Sequence, residues 1–469
     1  MKSSEIKNIC CIGAGYVGGP TMAVIADNCP SLKINVVDIN EERIKKWNEK
    51  DIDQLPVYEP GLAEIIRRCR NKNLFFSIDI KKHIESADMI FLSVNTPIKK
   101  SGLGKGQASD LKYIESSTRE IAKYAKGETI IVEKSTLPVR TAETIKSILE
   151  SNDKSSNNQK FSVLSNPEFL AEGTAINDLE NPDRVLIGGE NPKAVTALEK
   201  IYLNWVDKNK ILKTNLWSSE LSKLVANAFL AQRISSINSI TAICETTGAD
   251  INEVSKAIGM DTRIGEKFLN AGPGYGGSCF KKDILNLVYL SKYYGLEEVA
   301  SYWQKVVDIN NWQQHRICKI IVKKLFNNLT SKKIGIMGFS FKANTNDTRE
   351  SPAIQICKDL MEEGADLKIY DPKVNKLQIE EDLDQKESNN NTEGSWIFCK
   401  SIKEIAIDAD AIVIATEWEE FKSIDWSDIS RLMRSPKWLF DTRGITDLED
   451  VKKHNINYWK IGLGDSSLQ

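Results

Sequence analysis

Histidine is nearly missing from this sequence: among 469 residues only His83, His315 and His454 occur. General-base chemistry therefore has to draw on other side chains. Cysteine is present nine times, at positions 10, 11, 29, 69, 244, 279, 318, 357 and 399, but never as a C-x-x-C pair. Neither a zinc site nor a disulfide framework is indicated, and no metal is expected. In a reducing compartment most of these thiols should be small buried hydrophobes. Charge of one sign is not in excess either: Lys plus Arg number 63 against 65 Asp plus Glu, a net charge of -2. That balance offers nucleic acid no electrostatic footprint. No apolar run reaches the ~18 residues that a membrane helix needs. The first strand pattern begins within about five residues of the initial Met, which leaves no room for a signal or transit peptide, so a cytoplasmic protein is expected.

What remains is an ordinary globular composition, 41% hydrophobic and 27% charged, on a chain long enough for two or three domains. NICCIG reads as a short buried strand, YVGGPTMAVIADN as a helix and LKINVVD as a second strand, together one βαβ unit. ADMIFLSVNTP, ETIIVEKSTLP and FSVLSNPEF repeat the pattern of a strand running into a polar, Pro-containing loop. This alternation predicts a parallel, doubly wound sheet. From about Leu216 the pattern changes to a single helical run of roughly thirty residues without proline, a connector or an assembly surface. A second βαβ unit begins at KKIGIMGFSFK and continues through SPAIQICKDLMEEG and DLKIYDP, with ADAIVIAT as a further strand and Asp371 ending the second one. The polar stretches 151–160 and 381–395 read as exposed loops. The expected fold is α/β, with two Rossmann-like doubly wound domains joined by a long central helix and a helical middle domain. Its boundaries fall at 1–214, 215–325 and 326–469.

Gly13-Ala14-Gly15-Tyr16-Val17-Gly18 fits G-x-G-x-x-G. It follows a predicted strand and opens a predicted helix, and Asp38 ends the next strand about 20 residues on. Gly13 allows the tight turn, Gly15 lets backbone approach a pyrophosphate, and Gly18 permits close helix–strand packing. A carboxylate at Asp38 accepts from a ribose 2′-OH and repels a 2′-phosphate, which favours NAD over NADP. Arg43 either contacts the adenosine end or is a solvated helix charge. The C-terminal KIGIMGFSF has only two of the glycines and suits a different diphosphate, or none, better than a second NAD.

The stretch GPGYGGSCFKKD crowds glycines against Cys279. If Ser278 and Cys279 open a helix, its dipole favours a thiolate, where an ordinary thiol with a pKa of ~8.5 is mostly protonated at pH 7. Asp283 then shares a face with the thiol. Lys223 and Asn227 stand four residues apart on one helical face; by spacing alone they fit equally well the wet side of an apolar helix. Glu168 in SNPEF and Thr136 in KSTLP sit at carboxyl ends of predicted strands, where doubly wound sheets place ligands, though loop capping would put them there too.

Together, GAGYVGGP, VVDIN, LPVYEPGL, SVNTP, VEKSTLPVRTAE, SNPEFLAEGTAINDLENPDRVLIGG, ELSKLVANAFLAQRISSINS, GYGGSCFKKD and GFSFKANTNDTRES resemble the UDP-glucose/GDP-mannose dehydrogenase family over nearly the whole chain, in its eukaryotic UDP-glucose 6-dehydrogenase type. The resemblance implies oxidation of UDP-glucose at C6 to UDP-glucuronate with two NAD consumed, the same chemistry on UDP-N-acetylmannosamine or GDP-mannose being the alternative. It makes Cys279 the nucleophile of a thiohemiacetal and thioester, and gives Lys223 the oxyanion. Lys223 and Asp283 share the proton through a water, Asn227 orients the sugar, and Glu168 activates the hydrolytic water beside Thr136. NAD contacts implied in the same way are Ser93, Val94, Asn95, Thr96, Pro97, Ser135, Thr136, Glu172 and Arg349. UDP-sugar contacts are Glu168, Phe169, Leu170, Glu172, Arg263 (from a neighbouring subunit), Phe268, Asn270, Gly276, Phe341, Lys342 and Arg443. The family further implies homodimers assembling into hexamers. Departures are Pro273 before the aromatic of GPGYGG, and Lys281 beside Lys282 where one lysine and another polar residue are expected.

Overall fold

The computed structural model describes residues 6–136, 138–151, 159–388 and 394–464. The chain forms two compact units, Met1–Ala226 and Asn227–Gln469.

The first unit holds eight strands: β1 (Asn8–Ile12), β2 (Lys33–Val37), β3 (Leu74–Ser77), β4 (Met89–Leu92), β5 (Glu128–Glu133), β6 (Lys160–Ser165), β7 (Val185–Gly189) and β8 (Ile211–Thr214). Their order is β3-β2-β1-β4-β5-β6-β7-β8. The first six carry the 3-2-1-4-5-6 order of a dinucleotide-binding sheet. Alternation along each strand builds two cores: Ile9, Cys11, Ile34, Val36, Met89 and Phe91 face one, while Cys10, Ile12, Val37, Ile90 and Leu92 face the other. Helices cover both faces, which is why the strands read as unbroken apolar runs rather than as alternating ones. The fully parallel expectation fails at one place. β7 runs antiparallel to β6, with Leu164 opposite Gly189 and Ser165 opposite Gly188. The reason is local: the chain reaches β7 through the short helix Ala175–Glu180 rather than through a full crossover.

The second unit begins within the 32-residue helix Leu216–Thr247 and adds the helices Ile251–Gly259, Phe280–Tyr293 and Glu297–Lys324. Its strands are β9 (Lys333–Met337), β10 (Asp366–Tyr370), β11 (Trp396–Phe398), β12 (Ala411–Ile414), β13 (Lys437–Asp441) and β14 (Ile456–Lys460). They pair in parallel in the order β11-β10-β9-β12-β13-β14, again 3-2-1-4-5-6.

The exposed loop expected at 381–395 holds in its middle, where Asp384, Gln385 and Lys386 are exposed, and is corrected at its ends; residues 389–393 lie outside the described residues. The helix Lys376–Leu383, closed at its start by an Asn375–Gln378 capping box, runs into the stretch. Glu387 is tied to Lys376 and to the Phe398 amide, and Ser395 is buried. Within 151–160, Ser151 ends one helix and Lys160 starts β6, and residues 152–158 lie outside the described residues. Among the described residues no helix is long and apolar enough to cross a membrane.

Candidate active site

In the first unit the crevice lies where the strand order reverses, between the carboxyl ends of β1 and β4. Gly13 has φ +108°, and a Cβ there would stand 2.3 Å from the Ser93 carbonyl oxygen. A Cβ on Gly18 would stand 1.9 Å from the Gly13 oxygen, whereas one on Gly15 would meet nothing within 4 Å. Two glycines of the motif thus allow close packing, and the third keeps space clear in front of the helix Gly18–Asn28. Asp38, buried after β2, accepts from the Ala14 amide at 2.9 Å and from Arg43 at 3.0 Å, so it braces the turn while its other oxygen takes the Asn40 amide. Tyr16 packs on the core, with Val17 partly buried beside it.

The loop Ser93–Pro97 is fastened to the neighbouring strand end. Ser135 Oγ donates to the Val94 carbonyl at 2.6 Å, and Thr96 Oγ1 donates to the Thr136 carbonyl at 3.0 Å. Asn95 is exposed and caps Thr96 through its own side chain. Gly15, Asp38 and the loop Ser93–Pro97 with Ser135 and Thr136 thus gather where the strand order reverses, and they fit the group: a helix N-terminus with an open Gly15 in front of it and a carboxylate at the end of the second strand.

The loop after β6 carries Glu168, Phe169 and Leu170. Glu168 Oε1 accepts from the Phe169 and Leu170 amides at 2.8 and 3.2 Å, and Oε2 pairs with Lys134 at 2.8 Å. Burial works to raise the pKa of this carboxyl, but the Lys134 charge and the Phe169 amide outweigh it and hold the pKa below the usual range. The Phe169 ring lies under the Arg184 guanidinium at 3.8 Å and the Lys223 ammonium at 5.2 Å. Buried Glu59 fixes the rest of the loop by accepting from the Gly173 and Ala175 amides, with Glu172 partly buried in the turn beside it. Lys134 and Glu59 were not identified from sequence. The only hint was a charged residue at the end of an apolar run in each of VEKSTLP and LPVYEPGL.

In the second unit Cys279 is the N-cap of the helix Phe280–Tyr293. All nine cysteines are free thiols; eight are buried and Cys279 is exposed. Burial pushes the others up, Cys29 and Cys69 to about 11. Ser278 Oγ lies 3.4 Å from the Cys279 sulfur. One turn on, buried Asp283 donates its amide to the Cys279 carbonyl, accepts from Asn227 Nδ2 at 2.6 Å and pairs with Lys282 at 3.3 Å. Asn227 follows Lys223 by one turn on the same helix, the spacing expected.

The glycine loop before Cys279 is clamped by three amides that sequence reasoning missed. Asn238 Oδ1 accepts from the Gly272 amide, Gln313 Nε2 donates to its carbonyl, and Asn310 bonds both backbone groups of Tyr275. All three are buried helix residues, a polar signature that an apolar periodicity conceals. Gly276 and Gly277 lie so close to Phe341 that a Cβ would stand 2.8 and 3.1 Å from it. Arg443 donates to the Phe341 and Ala415 carbonyls and pairs with Glu417 at 3.0 Å, so it holds the Phe341 loop. Lys342 Nζ sits 5.4 Å over the Phe341 ring, and Phe268 (φ +63°) stands edge-on to Phe280.

Two predicted residues stand apart from this cluster. Arg263 is almost fully exposed and paired with its own Asp261, and Asn270 is exposed. Arg349 joins the cluster through its backbone, its carbonyl accepting from the Gly277 amide at 2.8 Å, while its guanidinium forms a forked pair with Asp347. The second sheet also has an acid after its second strand. Asp371, however, is saturated: one oxygen takes the Phe339 and Ser340 amides, the Ser340 hydroxyl and the Trp418 indole, and the other takes the Lys373 and Val374 amides.

Residues 7–206 match the NAD binding domain of the UDP-glucose/GDP-mannose dehydrogenase family, 217–312 its central domain and 335–448 its UDP binding domain. The chain is 55% identical over 462 residues to UDP-glucose 6-dehydrogenase of Caenorhabditis elegans, covering 98% of this chain and 95% of that protein. To the Mus musculus enzyme of the same name it is 57% identical over 449 residues, 94% and 90% of the two chains. A UDP-glucose dehydrogenase structure from Pyrobaculum islandicum superposes with a TM-score of 0.83 at 26% identity, covering 99% of both chains. The chain is accordingly an NAD-dependent oxidoreductase and belongs to the UDP-glucose/GDP-mannose dehydrogenase family.

Proposed function

We propose that this protein oxidises C6 of UDP-glucose to the carboxylate of UDP-glucuronate, with two NADH formed per sugar, through a covalent adduct on Cys279. The observation that carries this reading is the single exposed thiol among nine, set at a helix N-terminus with a buried carboxylate one turn on. The name shared by the relatives at 55–57% identity supports glucose as the sugar.

NAD, when bound, accepts one hydride in each of the two oxidations. In the first, the C6 hydroxyl proton leaves through a water to the Asp283 carboxylate, while the Lys223 ammonium stabilises the alkoxide. The Cys279 sulfur then bonds to the aldehyde carbon while a proton passes to the carbonyl oxygen, which gives a thiohemiacetal. That carbon again carries a hydrogen to surrender, which a bare aldehyde cannot offer without an added nucleophile. Loss of the hydride and the hydroxyl proton leaves a thioester, and water assisted by Glu168 hydrolyses it beside Thr136. Asn227 orients the sugar, and Phe268, Gly276, Phe341, Lys342 and Arg443 contribute to the UDP-sugar site; Arg349 contacts NAD. We assign these tasks to the segments 1–214, 215–325 and 326–469.

A homodimer-based hexamer in the cytoplasm completes this reading. Exposed Phe229, Ile243, Tyr302 and Trp312 on the long helices supply the apolar surface that association needs, and Arg263 serves the neighbouring subunit's site.

The test is Cys279→Ser. Acid formation should cease at steady state while NAD binding is kept, and the unaltered enzyme should yield two NADH per sugar. Undiminished UDP-glucuronate production by the variant, or one NADH per sugar from the unaltered enzyme, would refute the reading.

A further inference from the structure

We propose that Lys134 is a positioning residue for thioester hydrolysis, holding the Glu168 carboxylate in one orientation and one charge state without itself touching substrate. The inference rests on the role given to Glu168 above.

The geometry is closed around the ammonium. Lys134 follows β5 directly, with its amide bonded to the Leu92 carbonyl. Its Nζ has three acceptors for three protons: Glu168 Oε2 at 2.8 Å, Asn166 Oδ1 at 3.0 Å and the Tyr202 hydroxyl at 3.1 Å. Those acceptors are themselves fixed, since Tyr202 donates to Asn166 at 2.6 Å and Asn166 Nδ2 donates to the Leu186 carbonyl at 2.8 Å. The lysine side chain is 3% exposed. An ammonium with every proton engaged and no route to solvent has nothing left with which to bind a ligand.

Glu168 gains a fixed aim from this arrangement. One oxygen is held by the two loop amides and the other by the ammonium. The charged and titratable groups that face it are Lys134 from the end of β5, Tyr202 from the helix Pro192–Tyr202 and Lys223 from the helix Leu216–Thr247; Arg184 stands beyond the Phe169 ring. Burial alone would drive this carboxyl towards its neutral form, which cannot accept a proton. Lys134 reverses that tendency. In the hydrolytic step the water oxygen bonds to the thioester carbon and one water proton passes to Glu168. The C–S bond breaks with its electron pair on the Cys279 sulfur, and the sugar leaves as the acid. Only an ionised Glu168 can take that proton.

Glu168→Gln, Lys134→Met and Lys134→Arg in the full-length enzyme test the proposal, by kcat–pH profiles with UDP-glucose and NAD and by intact mass of acid-quenched reactions. Glu168→Gln should trap the sugar on Cys279. Lys134→Met should slow turnover about 100-fold, the scale of a misplaced general base, accumulate the same adduct, leave KM for the sugar little changed, and move the acidic limb up by about 1–3 pH units. Lys134→Arg keeps the charge and should keep the limb in place. A trapped adduct in Glu168→Gln together with an unaltered limb and no adduct in Lys134→Met would overturn the proposal and leave the role of Glu168 standing. Free turnover of Glu168→Gln without adduct would overturn both. If Lys134→Met does not fold, the infrared carboxylate band of unaltered enzyme minus Glu168→Gln decides. Ionisation persisting below the ordinary Glu value of about 4.3 supports the proposal, and titration above it overturns the proposal.

Discussion

Gly15 and Gly18 stand three residues apart in one motif, yet alanine at each should do opposite things. At Gly15 a Cβ meets nothing within 4 Å, and at Gly18 it would lie 1.9 Å from the Gly13 carbonyl oxygen. The first change adds a methyl to open space at ordinary φ, so folding stability should move by no more than about 0.5 kcal/mol, a melting shift under about 2 °C. That space is where a pyrophosphate would meet the helix N-terminus, and the methyl should weaken NAD binding about 100-fold, or about 2.8 kcal/mol at 1.4 kcal/mol per tenfold. The second change pushes against backbone that cannot step aside. It belongs at the upper end of overpacking, about 3 kcal/mol, and should lower Tm by about 6–12 °C. Calorimetric titration with NAD and thermal melts of both variants decide the matter. A Gly15→Ala protein that binds NAD as tightly as the unaltered chain, or that unfolds as readily as Gly18→Ala, would refute the assignment of this turn to the pyrophosphate.

Removing the amide of Asn227 with alanine leaves the buried Asp283 carboxylate without its 2.6 Å donor and should destabilise the second unit by about 1–3 kcal/mol, read as a lower Tm. Glu133 is buried against Glu220, and burial first, then the neighbouring carboxylate, raises its pKa well above the usual range. The folded state therefore keeps a proton that the unfolded state releases, and stability falls as pH rises above the unfolded value. Glu133→Gln should remove that loss, so the Tm gap between variant and unaltered protein should widen with pH, by up to about 1.4 kcal/mol per unit; a gap that does not change with pH contradicts the shared proton. Because every lone pair of Asp371 is committed to its own chain, the second sheet should not hold a dinucleotide, and titration should find one NAD per chain rather than two.

Much of the site was legible because its parts are local. Gly13 to Gly18, Asp38 and the Lys223–Asn227 spacing lie within single βαβ or helical segments, where periodicity and glycine placement carry the information. The helix over Leu216–Thr247 was legible for the same reason. The antiparallel turn of β7 was not, because strand direction depends on how a short connection returns across the sheet. The inward hold on Glu387 and the burial of Ser395 were hidden too, since a polar side chain can be tied down by partners such as Lys376 that no local pattern reveals.

The sequence alone determined two α/β units, the dinucleotide turn and a cysteine in a glycine-rich loop, since each follows from apolar period, turn chemistry and spacing. Tertiary structure decided which of the nine thiols meets solvent, that Lys134 pairs with Glu168, and that the lone pairs of Asp371 are taken up by its own chain. These depend on groups distant in the chain coming within 3 Å of one another. Desolvation and charge pairing act through space, and a linear pattern does not record distance.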